Sequence, residues 1–239
     1  MSARFEEIDR RATPMGEISL RRRLHPTLLI DIYEVKLGDE HLMSTLFTES
    51  ETQLAHLALA GAAGTDLDVV VGGLGLGYTA RAVLDDPRVR SLHVIEALGA
   101  VIEWHEQEMV PLAAQLRSDV RCHFVEGDFF ALAKAGFTSA DDTPLRPHAV
   151  LVDIDHTPSH VLHPSHAAFY TPTGLSRLAE QLAPGGVFAL WSDDAPDAAF
   201  LTRIGSAFAA CEAHLVTFPN PLTDGEASNT VYVARTAPT

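Results

Sequence analysis

Short apolar segments alternate with helix-like segments through most of this chain, and this alternation limits the possible folds more than any other feature. Strands that helices cover on both faces are almost wholly apolar. The strand-like segments have this composition and span residues 68–71, 92–95, 120–125, 149–152 and 187–191. The helix-like segments follow at residues 78–84, 98–110, 129–135, 175–182 and 198–210. We therefore predict an α/β protein with a Rossmann-like, doubly wound parallel sheet.

The two ends of the chain have other patterns. Segments 214–218 and 230–234 are strand-like and are joined by a loop, which predicts an antiparallel hairpin at one edge of the sheet. Short alternating stretches within residues 1–48 predict a small N-terminal β unit, followed by the Rossmann-like domain at residues 49–239. Ser50, with Gln53 three residues later, is expected to form a capping box at the start of a helix that ends near Gly61. Residues 138–147 are expected to be an exposed loop.

The charge and composition of the chain exclude several classes of partner. Lys and Arg number 17 and Asp and Glu number 32, which gives a net charge of −15. Such a charge disfavours binding to nucleic acid and favours a cationic or neutral small molecule. The two cysteines are too few for a disulfide scaffold, and no apolar run approaches the roughly 18 residues of a membrane span. We therefore expect a cytoplasmic protein that interacts with neither nucleic acid nor membrane.

A glycine-rich turn follows the first apolar segment. The turn contains Gly72, Gly73, Gly75 and Gly77, and glycines allow the backbone to approach a ligand closely. Glu96 ends the next strand-like segment, where a carboxylate can accept hydrogen bonds from both hydroxyl groups of a ribose. Together these features predict a site for an adenosine-type ligand.

The glycine spacing narrows the identity of this ligand. Gly73, Gly75 and Gly77 form G-x-G-x-G, whereas enzymes that bind dinucleotides usually have G-x-G-x-x-G to hold a pyrophosphate. An S-adenosylmethionine-type ligand has no phosphate and suits the shorter spacing. Asp128 follows the third strand-like segment and is predicted to accept from the adenine amino group, with Phe129 flanking the ring. The alternative for Asp128 is a helix N-cap.

These and later motifs resemble the spermidine synthase (polyamine aminopropyltransferase) family. The resemblance extends from about Glu34 to the C-terminus. It includes the segment from Thr48 to His56 and the carboxylates Glu96 and Asp128; further matches are Val152-Asp153-Ile154-Asp155-His156 and Phe169-Tyr170. It implies a small β domain before a class I methyltransferase-like fold. It also implies decarboxylated S-adenosylmethionine as the ligand, a small cationic amine as the acceptor, and a homodimer.

The chain departs from this family at two acidic positions. The family's glycine turn contains an aspartate that meets the amino group of decarboxylated S-adenosylmethionine, but the segment Gly72–Gly77 contains no acid. His156 stands where the family's acidic loop has its second aspartate. From their place at the carboxyl end of the fourth strand beside the glycine turn, Asp153 is expected to anchor substrate or cofactor and Asp155 or His156 to act as base. Tyr170 is expected to be a wall or a hydrogen-bond partner, or alternatively a core aromatic with a satisfied hydroxyl. Alternatively, the protein is a methyltransferase that uses intact S-adenosylmethionine, or a noncatalytic relative.

Four histidines follow the fourth strand-like segment. Imidazoles at such spacings can bind a metal when they share a helix face. Pro158 and Pro164 interrupt any such helix, so a histidine-lined substrate pocket is predicted in preference to a metal site. The four residues are His156, His160, His163 and His166.

Overall fold

The computed structural model describes residues 5–139 and 143–238. The strands in this part of the chain are β1 (Phe5–Thr13), β2 (Gly16–Leu24), β3 (Asp31–Leu37), β4 (Glu40–Ser44), β5 (Leu67–Gly72), β6 (Val89–Glu96), β7 (Cys122–Glu126), β8 (Phe137–Thr138), β9 (Pro144–Leu145), β10 (Ala149–Val152), β11 (Val187–Ser192), β12 (Ala210–Asn220) and β13 (Gly225–Arg235). The helices are α1 (Glu49–Gly61), α2 (Tyr78–Leu84), α3 (Gly99–Glu106), α4 (Ala113–Ser118), α5 (Phe129–Ala135), α6 (Pro172–Gln181) and α7 (Ala198–Gly205), with a 3-10 helix at Pro164–Ala168.

The larger sheet has seven strands in the order β12-β13-β11-β10-β5-β6-β7. Its strands are parallel except β13, which pairs antiparallel with both β11 and β12. Every residue of β5 and β10 is buried, as expected of central strands covered on both faces. The predicted doubly wound sheet with an antiparallel edge hairpin is therefore confirmed.

The strand order reverses between β5 and β10, and this reversal positions the site. The chain adds β6 and β7 on one side of β5, and β10 and β11 on the other. Ligands of such sheets bind at the carboxyl ends of the strands where the order reverses. Gly72 pairs with Val152 in the parallel register, and Asp153 N–H donates to Gly72 O at 2.9 Å. The glycine turn and the loop after β10 therefore begin side by side.

The N-terminal unit is a four-stranded antiparallel sheet in the order β1-β2-β3-β4. The predicted β unit is confirmed, and β1 is a strand that the sequence pattern did not indicate. Ile18 and Val35 from this sheet and Leu54 from α1 belong to one hydrophobic cluster with Val69 of β5. The sheets are separate, but the core beneath them is continuous.

The start of α1 differs from the prediction. The helix begins at Glu49 after Thr48, and no side chain caps it. Ser50 lies inside the helix and is buried; its hydroxyl donates to Asn229 Oδ1 at 3.0 Å and accepts from Trp191 Nε1 at 3.0 Å. The predicted capping box is therefore wrong, because the Ser50 hydroxyl bonds across the core to β11 and β13 and to the neighbouring Glu51 Oε2 at 3.1 Å, and not to a backbone N–H of α1.

Other helix and strand boundaries differ from the predicted ones by a few residues. Helix α7 ends at Gly205, and α4 is a separate short helix that was not predicted. Strand β12 continues to Asn220 through Pro219, which an edge strand tolerates. The flanks of the predicted 138–147 loop pair as β8 and β9, and residues 140–142 lie outside the described residues. No helix in the described ranges is both long enough and apolar enough to cross a bilayer.

Candidate active site

A cavity of about 430 Å³ lies between the two sheets, over the carboxyl ends of β5, β6 and β10. This volume is within the range of small-molecule sites. Its floor includes Gly73, Gly75, Glu96 and Asp153. The opposite wall comes from the N-terminal sheet and is apolar; we call it the apolar roof, and its residues are Pro14, Met15, Ile18, Val35, Leu37, Leu42 and Met43.

The predicted glycines divide into two groups. Gly73 and Gly75 line the cavity and have φ values of 93° and 47°, in the region that favours glycine. Gly72 does not line it; a Cβ there would overlap the ring of Phe129. Gly77, with φ of 91°, packs in the same close way against Leu116 and His105. All four glycines therefore allow the turn to pack closely on the protein, since a Cβ at Gly73 would overlap Asp153 O and one at Gly75 would overlap Met43 Sδ; Gly73 and Gly75 also line the cavity.

Glu96 lies at the cavity floor, where β6 ends. Its Oε2 accepts from Leu74 N–H at 3.0 Å and its Oε1 from Leu98 N–H at 2.9 Å. Burial raises the pKa of Glu96, against the effect of these backbone donors. A carboxylate has about four lone-pair positions, and the N–H groups of Gly75 and Ala97 also lower the pKa of Glu96, so a ribose hydroxyl would share this carboxylate with backbone donors.

Asp128 and the two phenylalanines after it form one side of the cavity. Asp128 caps α5, since its Oδ1 accepts from Phe130 N–H at 2.8 Å and Ala131 N–H at 3.2 Å. The N-cap alternative is thus realised; contact with adenine remains a prediction. Phe129 also lines the cavity but is only 2% exposed, in contact with Phe137 and Phe169. The ring of Phe130 lies at the same wall, and sequence reasoning did not identify it.

Asp153 shares the cavity with a second carboxyl group, Glu51 of α1, which sequence reasoning missed. Asp153 Oδ2 accepts from Thr79 Oγ1 at 2.7 Å. Burial raises the pKa of Asp153 to about 6, and burial together with the Asp153 charge raises the pKa of Glu51 to about 8. Glu51 falls on the buried helical stripe that contains Leu54 and Ala58. That position was the signal that could have identified it.

Asp155 and Tyr170 are buried, and Tyr170 takes the alternative of a core aromatic with a hydrogen-bonded hydroxyl; catalytic roles for both stay predictions. Neither is among the residues that line the cavity, and they are 1% and 2% exposed. Asp155 Oδ1 accepts from Leu162 N–H at 2.7 Å and from His166 Nδ1 at 2.9 Å, and its Oδ2 accepts from Tyr170 OH at 2.8 Å. Burial and the Asp155 carboxylate raise the pKa of Tyr170 well above its usual value. The structure places these two residues behind the wall.

Three of the four histidines line the cavity, and His160 is exposed. His156 Nε2 lies 2.9 Å from Glu40 Oε1, and His163 Nδ1 lies 2.7 Å from Ser165 Oγ. His166 is buried and bonds to Asp155. Within residues 5–139 and 143–238, no three His, Cys, Asp or Glu side chains converge in a way that could hold a metal ion.

The charge of the cavity is one-sided. Its lining in the described structure contains four carboxyl groups and neither lysine nor arginine. Histidines are the lining side chains that can become cationic, and each of the three has a hydrogen-bond partner in the protein. The carboxyl groups are Glu51, Glu96, Asp128 and Asp153.

Comparison with solved structures identifies the fold of this chain. No protein-family model matches the sequence. A spermidine synthase in complex with the transition-state analogue AdoDATO superposes with a TM-score of 0.75 at 16% identity, over 98% of this chain and 74% of that one. The chain has the spermidine synthase fold.

Two further spermidine synthase structures are similar. The enzyme from Thermotoga maritima has a TM-score of 0.72 at 16% identity, over 98% of this chain and 73% of that one. A probable spermidine synthase from Corynebacterium glutamicum has a TM-score of 0.64 at 14% identity, over 95% and 79%. The predicted resemblance to spermidine synthases is confirmed at the level of the fold.

Proposed function

We propose that this protein transfers the aminopropyl group of decarboxylated S-adenosylmethionine to a small cationic amine. The observation that carries the proposal is the acidic cavity, whose described lining has carboxyl groups and no lysine or arginine. Decarboxylated S-adenosylmethionine has a sulfonium and an ammonium group and no carboxylate. Both it and a cationic amine therefore complement the cavity's charge.

The residues present fit such a ligand. We assign the ribose hydroxyls to Glu96, and the adenine to the wall formed by Asp128, Phe129 and Phe130. The ammonium groups are assigned to Glu51 and Asp153. These two buried carboxyls lie close enough to raise the pKa of Glu51, so a bound cation would relieve their mutual repulsion. Catalysis consists of holding the amine beside the sulfonium carbon and excluding water under the apolar roof.

The bonds made and broken follow from this arrangement. The amine nitrogen attacks the carbon that joins the aminopropyl chain to sulfur. The bond between that carbon and sulfur breaks, and its electron pair stays on sulfur. The products are the aminopropylated amine and methylthioadenosine. An amine with a pKa of about 10, like that of lysine, is mostly protonated at neutral pH, so it must lose a proton before it can attack.

A second candidate is methyl transfer from intact S-adenosylmethionine. The acid-free turn from Gly72 to Gly77 favours it, because nothing in that turn would repel the carboxylate of the intact cofactor. The absence of lysine and arginine from the described lining opposes it, since no permanently cationic side chain is there to pair with that carboxylate. We therefore place this candidate second.

Titration calorimetry with S-adenosylmethionine, its decarboxylated form, methylthioadenosine and NAD distinguishes these candidates. We expect the decarboxylated ligand to bind more tightly than the intact one, and NAD not to bind. Tighter binding of the intact cofactor would make methyl transfer the primary candidate. Binding of none of them would indicate a noncatalytic relative.

A matched pair of variants tests the ribose assignment in the same assay. Glu96→Gln is expected to weaken methylthioadenosine binding by about 10- to 100-fold, because hydrogen bonds to a charged acceptor are lost. Glu126→Gln is the control, since Glu126 occupies the paired position at the exposed end of the neighbouring strand β7. Equal affinities for the two variants would remove Glu96 from the site.

We also propose that the protein is a cytoplasmic homodimer that functions without a metal ion or a nucleic acid partner. The net charge of −15 and the family resemblance support this proposal. Sedimentation equilibrium should give twice the mass of the chain, and activity should survive treatment with EDTA. A monomeric mass would contradict the homodimer, and loss of activity in EDTA would contradict independence from a metal ion.

A further inference from the structure

We propose that a hydrogen-bond chain from Asp193 holds Glu51 as an uncharged acid, and that Glu51 therefore binds the reacting nitrogen of the acceptor as a free amine. The inference rests on the proposed function and deepens it, because it gives the two buried carboxyl groups different ligands. Asp153 stays ionised and pairs with the ammonium group of decarboxylated S-adenosylmethionine. A free amine is the form of the acceptor that can attack, since its nitrogen has a lone pair.

The chain begins at the surface, at the exposed side chain of Asp193. Asn229 Nδ2 donates to Asp193 Oδ1 at 2.8 Å. A carboxylate only accepts hydrogen bonds, so the amide of Asn229 turns its nitrogen toward Asp193 and its oxygen toward the core. That oxygen, Oδ1, lies 3.0 Å from Ser50 Oγ. The orientation of Asn229 is therefore fixed from outside the cavity.

The hydroxyl group of Ser50 has three neighbours, one hydrogen and two lone pairs. Trp191 Nε1 only donates, so at 3.0 Å it occupies one lone pair of Ser50 Oγ. Asn229 Oδ1 only accepts, so it takes the hydrogen. Glu51 Oε2, at 3.1 Å, faces the second lone pair and bonds to it when Oε2 carries a proton. All four groups are satisfied together when Glu51 is protonated.

Ionisation of Glu51 disrupts this arrangement. The carboxylate then competes with Asn229 Oδ1 for the single hydrogen of Ser50, and one of the two acceptors is left without it. Both acceptors belong to buried residues, where a missing donor is costly. Burial and the charge of Asp153 favour the same form, since they raise the pKa of Glu51.

Asp153 has the opposite preference. Thr79 Oγ1 donates to Asp153 Oδ2 at 2.7 Å, whereas the alternative acceptor of that hydroxyl, the backbone oxygen of Glu51, lies at 3.4 Å. A donor to a carboxylate supports its charged form. Burial raises the pKa of Asp153 to about 6, below the value of about 8 for Glu51. A single proton on this pair near neutral pH therefore resides on Glu51.

The oxygen of Glu51 that a ligand reaches is Oε1. Glu51 lines the cavity and is 8% exposed. In the described part of the chain no other residue donates a hydrogen bond to Oε1, and this atom is not fully buried. With the proton on Oε2, Oε1 accepts a hydrogen bond from an amine N–H but carries no charge to pair with an ammonium group. Glu51 is thus the catalytic residue, and Ser50 and Asn229 are positioning residues.

The proton and electron balance is complete. The ammonium group of the acceptor releases one proton to solvent as it enters the cavity. Its lone pair then forms the new carbon–nitrogen bond while the carbon–sulfur bond breaks, and nitrogen gains the positive charge that sulfur loses. The titratable groups that face Glu51 are Asp153 and, from α2, Tyr78, whose pKa burial and the Glu51 charge raise; Asp193 acts through Asn229.

The test uses the complex with methylthioadenosine and diaminobutane, which cannot react. Carbon-13 NMR of the glutamate carboxyl groups, with Glu51 assigned by the signal that Glu51→Gln removes, shows whether Glu51 is protonated. We expect an uncharged Glu51 at pH 7 in the free protein and in the complex. Asn229→Ala removes the competing acceptor, so Ser50 donates to the carboxylate and the midpoint of the Glu51 titration should fall by about one to two pH units.

The matched control is Asn220→Ala, because Asn220 lies in the same hairpin and its side chain accepts only from Leu222 N–H. Its Glu51 titration should match that of wild type. A second variant, Asp193→Ala, changes an exposed residue and frees the Asn229 amide to turn, so it should lower the same midpoint. Asp194→Ala removes an equal charge from the next residue and should lower it less.

Turnover gives an independent measurement. Methylthioadenosine formation from decarboxylated S-adenosylmethionine and diaminobutane is measured from pH 6 to 10.5. We expect Asn229→Ala to lower kcat by about 10-fold or more at pH 7.5, because its ionised Glu51 holds the acceptor as an ammonium ion. The deficit should shrink toward pH 10.5, where the amine is largely free in solution. A purely structural role of Asn229 would lower kcat equally at every pH.

The outcomes separate this inference from the proposed function. An ionised Glu51 at pH 7 in the wild-type complex, or the same Glu51 titration in Asn229→Ala and Asn220→Ala, would overturn the inference alone. A wild type that binds neither methylthioadenosine nor diaminobutane would overturn the proposed function and, with it, the assignment of an amine to Glu51.

Discussion

Two aspartates that lie two positions apart on the loop after β10 have opposite environments. Asp155 is 1% exposed and accepts hydrogen bonds from Leu162, His166 and Tyr170. Asp153 lines the cavity, accepts from the Thr79 hydroxyl and lies near the second carboxyl of Glu51. A buried charge is stable only when it is paired and hydrogen-bonded. The protein itself meets that requirement at Asp155, whereas at Asp153 a cationic ligand would meet it.

We expect the largest change in the free energy of unfolding when Asp155, the carboxylate with three donors in the protein, is replaced. Asp155→Ala leaves the three donors without their acceptor, and removing one partner of a buried network of this kind typically costs about 3–5 kcal/mol. Unfolding in urea, monitored by circular dichroism, measures the change in the free energy of unfolding. Asp194→Ala is the control, because its exposed side chain predicts a change within about 0.5 kcal/mol. Equal stabilities would mean that Asp155 does not organise the loop.

The opposite sign is expected at the pair of Glu51 and Asp153, whose carboxylates accept hydrogen bonds from the neutral hydroxyls of Ser50 and Thr79 but repel each other. The pKa of Glu51 is raised to about 8 in the folded protein, above the value of 4.5 for an isolated glutamate. Between these values the unfolded chain loses this proton and the folded chain keeps it, so stability falls as pH rises through the window. Glu51→Gln cannot ionise and is expected to gain on the order of 2 kcal/mol of stability at pH 8.5 relative to wild type, with little difference at pH 4.5.

The control for this variant is Glu49→Gln, an exposed glutamate on the same helix. Urea unfolding at both pH values measures the difference, and calorimetry on the same samples measures ligand affinity. Glu51→Gln should bind decarboxylated S-adenosylmethionine less tightly even though it folds more stably. A variant that is less stable than wild type at pH 8.5 would show that the hydrogen bond from Ser50 outweighs the cost of burying the Glu51 charge.

A smaller effect is expected from Tyr170→Phe. The aromatic ring and its contacts with Phe169 and Phe200 remain, and only the hydroxyl that donates to Asp155 Oδ2 is lost. Loss of one hydrogen bond to a buried charge predicts a decrease of about 1–3 kcal/mol in the free energy of unfolding. An unchanged midpoint of urea unfolding would indicate that Leu162 and His166 alone satisfy Asp155.

The parts of the fold that follow from local pattern could be predicted from the sequence. Strands β5 and β10 are apolar because both faces are covered, and the Gly73 turn lies at their carboxyl ends. Strand β1 contains runs of adjacent charged residues and has no fully buried position, so it carries no alternating apolar signal. The capping box at Ser50 failed because contacts with Trp191 and Asn229, far away in the sequence, outweigh a local preference.

The site was predictable only in part, for a related reason. Glu96 and Asp153 end strands, and strand ends at a reversal of the sheet order point to a site. Glu51 was missed because an acid in the first turn of a helix is ordinarily explained by the helix dipole. Asp153 lines the cavity and Asp155 is buried because the loop after β10 folds back and brings His166 and Tyr170 against Asp155. No local sequence pattern predicts where that loop folds back.

The apolar roof has a consequence for how such a protein can diversify. The glycine turn and Glu96 belong to one sheet, while Val35, Leu42 and Met43 belong to the other. Changes in the size of the roof side chains would alter the shape of the cavity and leave the glycine turn and Glu96 in place. Selection for a differently shaped cavity can therefore act on the first forty-odd residues while the glycine turn and Glu96 are kept.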